Sequence, residues 1–172
     1  MRSQNSSRYR YSSLEIGVTI VLFALSSILV GAAFTFSQKS ARDSERIGSL
    51  REVQASLELY YKKYGAYPEG DNLGANGWDT PGNGTFISPL VEAGFMSSYA
   101  HDPVADSVTG NFRYQRFPAG AYGCPVAHGN FYILGVENME WDFRARMLSP
   151  GWNCAEKHFG DEMEFVVGKF EN

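Results

Sequence analysis

One uninterrupted apolar run constrains this chain more than any other feature. The 21 residues from Ile16 to Phe36 carry no charge, and a single carboxylate, Glu15, stands directly before them. As a helix with a rise of about 1.5 Å per residue, the run would measure about 31 Å, close to the thickness of the hydrocarbon core of a bilayer. It therefore predicts a membrane-spanning helix and raises the question of why an acid stands at its edge.

The charges that flank this run predict its orientation. Three arginines, Arg2, Arg8 and Arg10, precede the run, and mixed charge follows it. By the positive-inside rule, the N-terminus is cytoplasmic and the larger part of the chain lies outside, which makes this a single-pass membrane protein. We expect a basic leader at residues 1–10, the transmembrane half of a helix at 11–36 and an extracytoplasmic globular domain at 37–172. The alternative is a secretory signal cleaved before Phe34.

The exported part is acidic and contains both cysteines. Residues 37–172 hold 12 basic and 18 acidic residues, a net charge of −6. Because phosphate binding needs clustered lysine and arginine, no nucleic acid is predicted as a partner. Outside the cytoplasm, Cys124 and Cys154 are expected to form a disulfide, and two free buried thiols are the alternative.

The helix is predicted to continue well beyond the apolar run. No proline occurs between residues 37 and 64, and charged residues lie on the other faces of the predicted helix. Gly65 and Pro68 are typical of a helix end. This predicts one helix from about Ser12 to Tyr64, apolar on all sides at first and amphipathic later. Its apolar stripe has steps of three or four residues, at Ile47, Leu50, Val53, Leu57, Tyr60 or Tyr61, and Tyr64.

The remainder of the chain predicts a small sheet. Three segments, 112–117, 131–137 and 164–170, have strand character, and a glycine-rich loop occupies 69–86. A short helix is expected with Ser88 as its N-cap and Pro89 at its first position. Because no long helix joins successive strands, the sheet should be antiparallel. The predicted fold class is α+β, with a long N-terminal helix packed on a small antiparallel sheet.

Three stretches of sequence together resemble the type IV pilins and the pseudopilins of type II secretion. They are "YSSLEIGVTIVLFALSSILVGA", "ARDSERIGSLREVQASLELYYKKYGAYP" and "SPLVEAGFM" followed by "DPV", "GNFRYQ" and "NFYILGVE". The middle stretch is the most specific, and it is similar to pseudopilins of the major type. The resemblance covers about residues 11–137, and residues 138–172 match more loosely.

The resemblance implies a structural role and a reason for the acid. In this family a prepilin peptidase cuts the leader before an aromatic residue and methylates the new N-terminus, which here would be Tyr11. The glutamate four residues later, here Glu15, pairs with a neighbouring subunit during assembly; the alternative is that Glu15 lies in the headgroup zone and pairs with Arg8 or Arg10 of its own chain. The implied partners are further copies or related pilins in a periplasmic or extracellular filament, an inner-membrane assembly platform, the peptidase and the membrane.

Two positions depart from the family pattern. The family usually has glycine immediately before the cut, where this chain has Arg10, and many relatives have a proline in the apolar helix where this chain has Ala32. An uncleaved chain would have no free amine at Tyr11. The alternative function is therefore a non-polymerising, membrane-anchored binding module on the cell surface, with an aromatic surface around Trp78, Trp141 and Trp152.

Catalytic chemistry has little support in the sequence. The three histidines are isolated from one another, and His101 with Asp102 and Asp106 could form a triad only from turn-rich positions. We therefore predict that the chain is not an enzyme. Major pseudopilins bind calcium near their C-terminal strands, and here Asp161 and Glu162 are the corresponding candidate ligands. Solvated acids are the alternative, because calcium needs six to eight oxygen ligands.

Overall fold

The computed structural model describes residues 12–71, 77–104 and 110–172, with the backbone alone at residues 83, 142 and 143. Helix α1, Ser13–Tyr64, is continuous, as the sequence predicted. The chain divides into two compact units after Gln38, and the second unit, Lys39–Asn172, contains every strand among the described residues.

The C-terminal end of α1 has the expected chemistry. Lys62 and Lys63 lie in the last turn, where positive charge interacts favourably with the helix dipole. Gly65 follows in the left-handed region at φ 76°, and its N–H donates to the carbonyl of Tyr61 at 2.8 Å. Glycine adopts this conformation without a steric cost, which explains why the helix ends here.

The apolar stripe of α1 forms one wall of the core. Ile47, Leu50, Val53 and Leu57 are all buried. Tyr60 and Tyr61 are partly buried against the same core, whereas Tyr64 is 51% exposed. The predicted stripe is therefore correct, but its buried part ends before Tyr64.

Three strands form one antiparallel sheet in the order β1-β2-β3, with β1 at Phe112–Phe117, β2 at Phe131–Val136 and β3 at Phe165–Phe170. Phe131 of β2 is paired with Phe117 on one side and with Phe170 on the other. Every residue of β2 is buried, which agrees with its continuous apolar sequence. The α+β fold with a long N-terminal helix and a small antiparallel sheet is thus confirmed.

Side chains alternate between the two faces of the sheet along each strand, and both faces are covered by other parts of the domain. One face packs on α1 and on the segment that leads into the short helix α2 (Ser88–Glu92), and the other lies under the loops around the cysteines. The first cluster includes Phe112, Tyr114, Tyr132, Leu134, Val136, Phe165 and Val167. The second cluster includes Trp78, Phe117, Phe131, Ile133, Phe159, Met163 and Val166.

The start of the short helix α2, Ser88–Glu92, differs from the prediction. Ile87, not Ser88, is the N-cap, and Ile87 adopts a left-handed conformation at φ 49°. Ser88 is already helical, and both its N–H and its hydroxyl donate to Asp71. The predicted cap was wrong because Ser88 is already inside the helix, where it donates to a carboxylate of the preceding loop and accepts from no helix N–H among the described residues.

A third helix, α3 at Asp142–Leu148, was not predicted. Its N-cap, Trp141, makes no side-chain capping bond. Instead, the N–H groups of Glu140 and Trp141 donate to the Asp43 carboxylate at 3.0 and 2.8 Å. A carboxylate on α1 therefore holds the entrance to α3, and it comes from a distant part of the sequence.

Candidate membrane and assembly segment

Glu15 has a local structural partner. The N–H of Ser12 donates to Glu15 Oε2 at 2.8 Å, and Ser12 Oγ accepts from the N–H of Leu14 at 3.4 Å. The N–H of Ile16 also donates to the carbonyl of Ser12 at 3.1 Å. Ser12 is thus the N-cap of α1, and Glu15, three residues on, completes a capping box. The Ser-x-x-Glu spacing of residues 12–15 carries this signal, which our sequence prediction overlooked.

The capping bond uses only part of the Glu15 carboxylate. Oε2 accepts from Ser12, and Oε1 has no hydrogen-bond partner among the described residues. Negative charge in the first turn of a helix is also favourable, because it faces the positive end of the helix dipole. The geometry therefore explains the acid locally and leaves one oxygen open to an intermolecular donor.

The hydroxyl groups of the apolar segment are satisfied within the helix. Thr19, Ser26 and Ser27 donate to carbonyls four residues earlier, at 2.8 to 2.9 Å. Thr35 donates to the carbonyl of Ala32 at 2.9 Å. An unsatisfied polar group is costly in hydrocarbon, so these internal bonds make the segment compatible with a lipid environment.

The apolar side chains of this segment are exposed on every side of the helix. Leu14, Phe23 and Leu29 are 73%, 75% and 71% exposed. Helix α1 is long and apolar enough to cross a membrane, and none of its most apolar stretch is buried within the chain. A signal sequence would pass the same test of length and composition, so the cleaved form remains an alternative.

The predicted processing site lies outside the described residues. Arg10 and Tyr11, and with them the whole leader at residues 1–10, fall in this part of the chain. The description begins at Ser12, so the cleavage and methylation expected at Tyr11 stay predictions.

An ion cluster connects α1 to the loops at one end of the domain. Arg46, which is only 4% exposed, binds Asp102 through Nε and Nη2 at 2.9 Å each and binds Asp43 through Nη1 at 2.7 Å. Arg42 reaches Glu140 through two bonds of 2.5 Å. Such bidentate arginine–carboxylate pairs fix geometry as well as charge.

The pKa values of the acids in this cluster follow from their arginine partners. Burial works against ionisation of Asp102, but its hydrogen bonds from Arg46 outweigh that cost and lower its pKa. The hydrogen bonds from Arg42 likewise lower the pKa of Glu140. Both acids therefore stay ionised at neutral pH, and the cluster serves to hold the entrance of α3 on α1.

A second buried acid has no such cation. Asp79 is fully buried, and its Oδ2 accepts from the N–H groups of Ile87 at 3.0 Å and Asp71 at 3.3 Å. Its Oδ1 is buried without a hydrogen-bond partner. Desolvation, together with the neighbouring Asp71 carboxyl group, raises the pKa of Asp79 to about 6.

The two cysteines form the expected disulfide. Cys124 and Cys154 are bonded across 30 positions of sequence and belong to the second core cluster. In the chain-entropy treatment, closing a loop of this length contributes about 3–4 kcal/mol to stability. The bond joins the segment before β2 to the segment before β3, on the sheet face opposite α1.

The candidate calcium ligands do not converge with other acids. Asp161 and Glu162 are both exposed, and Glu162 is paired with Lys157 at 2.9 Å. Across residues 12–71, 77–104 and 110–172, no group of three or more histidine, cysteine, aspartate or glutamate side chains is placed to hold a metal ion. The surroundings of these two acids fit solvated surface residues better than a calcium cage.

Other residues singled out in the sequence have structural partners. Asp102 is engaged by Arg46, His101 is exposed, and Asp106 lies outside the described residues. Trp78 is buried against Phe117 and Phe159, so it does not contribute to an aromatic surface. The surface expected around three tryptophans is therefore not formed as predicted.

Comparisons with known proteins add no relative. The chain matches no protein-family model, no curated protein and no solved structure. The likeness to pilins and pseudopilins therefore rests on the residues of the sequence itself and on the physical arguments made from them.

Proposed function

We propose that this chain is the structural subunit of a filament of the type IV pilus or type II secretion pseudopilus kind. It would assemble through the apolar half of α1. The observation that carries the proposal is a single helix with two different surfaces. Up to Phe36 it is apolar and exposed on all sides, and from Ile47 to Leu57 one stripe of it forms the core of a domain.

These two surfaces fit a subunit that is stored in the membrane and then used in a protein filament. The exposed apolar side chains and internally bonded hydroxyls of residues 16–36 suit lipid and equally suit the packed helices of a filament core. The membrane holds the subunit before assembly, and the domain at 37–172 is then displayed outside. No catalytic step is needed for this role.

Glu15 is the residue proposed to set the register between subunits. A carboxylate at the edge of hydrocarbon is costly unless it is paired. Its Oε2 is used by the capping box, and Oε1 is directed to no described donor. A terminal ammonium from a neighbouring chain could pair with it, which would make the position of Glu15 a marker of correct alignment.

Three substitutions separate the charge of Glu15 from its capping role. Glu15→Gln keeps a side-chain acceptor for the Ser12 N–H but removes the charge, because glutamine also completes a capping box. Glu15→Ala removes both the acceptor and the charge. Ser12→Ala removes the hydroxyl that accepts from the N–H of Leu14 and leaves the charge of Glu15 in place. Filaments are counted by electron microscopy in the assembling cell. We expect Glu15→Gln and Glu15→Ala to lose filaments and Ser12→Ala to keep them.

The opposite pattern would contradict the assembly role. Normal filaments in Glu15→Gln, with equal defects in Glu15→Ala and Ser12→Ala, would mean that Glu15 acts only as a helix cap. The amount of each variant in the membrane fraction, measured by immunoblot, controls for effects on insertion.

The second candidate is a membrane-anchored module that does not polymerise. Arg10, which stands where the family has glycine, favours this reading because the leader would then be retained. The intact mass of the membrane-extracted protein distinguishes the candidates. A chain beginning at methylated Tyr11 is expected for the filament subunit, retention of Met1 would support the anchored module, and a start at Phe34 would mean a secreted domain.

A further inference from the structure

Helix α3 presents exposed arginine and apolar side chains together. Met147 and Leu148 are 72% and 52% exposed and are adjacent in the sequence, so together they form a small apolar patch. Arg144 and Arg146 are exposed on the same short helix, whereas Ala145 faces the core. This combination of cations and apolar groups is typical of a segment that lies at a lipid–water interface.

The contacts of α3 fix its position along α1. Arg144 Nη1 donates to Ser40 Oγ at 3.0 Å, and the Asp43 carboxylate accepts from the N–H groups that precede α3. Leu148 lines a small cleft with Ser44 and Ile47. Helix α3 is therefore attached to the first residues of the domain.

Chain length limits how far the Ser40 contact of α3 can lie from the end of the apolar run. Ser40 is the fourth residue after Phe36, and four residues reach at most about 14 Å even when fully extended. The polar layer on each side of a bilayer is about 5–8 Å thick. If residues 16–36 occupy the hydrocarbon, the Ser40 contact of α3 lies within or just beyond the headgroup layer, however the two units of the chain are arranged.

The charges near this contact are complementary to anionic lipid. Lys39 and Arg144 are exposed, and neither has a carboxylate partner among the described residues. Arg146 forms an ion pair with Glu164 at 3.9 Å. The nearby acids Asp43 and Glu140 are bound by arginines and backbone N–H groups, and Glu45 of α1 remains exposed. Among the described side chains, three exposed cations therefore lie near Glu45 and near the Glu164 that pairs with Arg146.

We propose that α3 docks on the headgroups of anionic phospholipids while the subunit is stored in the membrane. Arg144 and Arg146 would bind the phosphates, and Met147 and Leu148 would enter the boundary with the acyl chains. The inference rests on the membrane storage proposed above. It adds a second membrane contact, which must be released when the subunit leaves the bilayer.

Hydrogen exchange of the full-length chain in lipid nanodiscs tests this docking. Discs of phosphatidylcholine alone are compared with discs that contain phosphatidylglycerol, with about one chain per disc. We expect peptides that cover residues 142–149 to exchange several-fold more slowly in the anionic discs, and we expect this protection to weaken at high salt because surface charges are screened.

Matched variants identify the side chains responsible. Arg144→Gln combined with Arg146→Gln should remove the lipid-dependent protection, and Arg146→Gln alone, which leaves the bond to Ser40, should reduce it. Lys62→Gln combined with Lys63→Gln removes the same charge at the other end of α1, about 33 Å from Ser40 at 1.5 Å per residue. This control should leave the protection unchanged.

The possible results separate the two proposals. Equal exchange in both kinds of disc, in a chain that is inserted, would overturn the docking alone. Protection that appears only with several chains per disc would also overturn it and would assign the surface to a second copy. A chain that does not remain with the discs would overturn both membrane storage and docking.

Discussion

At the scale of single residues, two kinds of buried acid in this domain differ because of their counter-charges. Asp102 is bound by the Arg46 guanidinium, and its pKa is lowered. Asp79 is fully buried and has no cation beside it among the described residues, so desolvation and the neighbouring Asp71 carboxyl group raise its pKa. Burial penalises both charges, and only the nearby cation reverses the result.

The raised pKa of Asp79 predicts that the contribution of this one group to the stability of the domain falls as pH rises. The folded state binds this proton more tightly than the unfolded state, so its contribution is complete below the ordinary pKa of 3.8 and is lost as pH rises through about 6. Asp71 has the opposite sign, since its lowered pKa contributes stability above its ordinary range. A change in the free energy of unfolding between about pH 4 and 6 that disappears on substitution of Asp79 therefore reports on this carboxyl group.

Asp79→Asn should remove this pH dependence. Asparagine keeps an acceptor for the N–H of Ile87 and carries no charge, so we expect it to raise the free energy of unfolding at pH 7.5 by roughly 1–3 kcal/mol. Urea unfolding of detergent-solubilised protein between pH 4 and 8, followed by tryptophan fluorescence, measures the change. The exposed Asp161→Asn is the matched control, and equal pH profiles for Asp79→Asn and the unsubstituted chain would contradict the assignment.

At the scale of secondary-structure elements, the sequence correctly predicted the features that local sequence patterns control. The period of apolar residues, the lysines of the last turn and Gly65 predicted α1 to within one residue at its start. Alternation and β-branched or aromatic residues predicted β1 with its observed limits and the other two strands within one residue. The Ser12–Glu15 capping box was equally local and could have been found in the same way.

The elements that were missed depend on contacts between distant residues. Helix α3 has seven residues and no local cap, and the Asp43 carboxylate of α1 holds its entrance. The left-handed Ile87 before α2 has its N–H bound by Asp79. Sequence patterns over a few residues contain no information on which distant carboxylate will reach a free N–H group, so these features required the structure.

The glycine in β3 has a specific packing role. A Cβ built at Gly168 would lie 2.7 Å from the ring of Trp152 and 2.8 Å from the carbonyl oxygen of Tyr132. The indole of Trp152 also packs on Phe131 and Phe170, so it covers the end of the sheet where glycine leaves room. Glycine has a low strand propensity, but it is required at position 168 because the Trp152 ring leaves no room for a Cβ atom there.

Gly168→Ala should therefore destabilise the domain. Because both the indole ring and a backbone carbonyl would have to move, we expect a loss of about 1–3 kcal/mol, the usual cost of overpacking. Thermal unfolding followed by near-ultraviolet circular dichroism measures the loss. Gly160→Ala, whose added Cβ would meet nothing within 4 Å, is the control, and equal melting temperatures for the two variants would show that Trp152 moves without cost.

At the scale of the whole molecule, the division of labour between the two parts of the chain follows from where burial begins. The first buried residue of the described chain is Asp43, and both core clusters consist of residues from Ile47 onward. Residues 12–38 contribute no buried side chain. The apolar segment therefore gains no stability from burial within the described chain, whereas the domain is stabilised by its own core and its disulfide.

This division predicts that a chain shortened to residues 39–172 folds without lipid. It keeps Asp43, Arg46 and every residue of the two core clusters, and it loses the exposed apolar side chains of residues 16–36. We expect the fragment to be soluble and monomeric by analytical ultracentrifugation, with the near-ultraviolet circular dichroism of the full-length protein.

A fragment beginning at residue 47 is the control, because it lacks Asp43 and Arg46 and should lose several kcal/mol with the buried ion cluster. Equal stability of the two fragments would mean that the cluster only positions α3, and aggregation of the longer one would mean that the domain needs the apolar segment to fold.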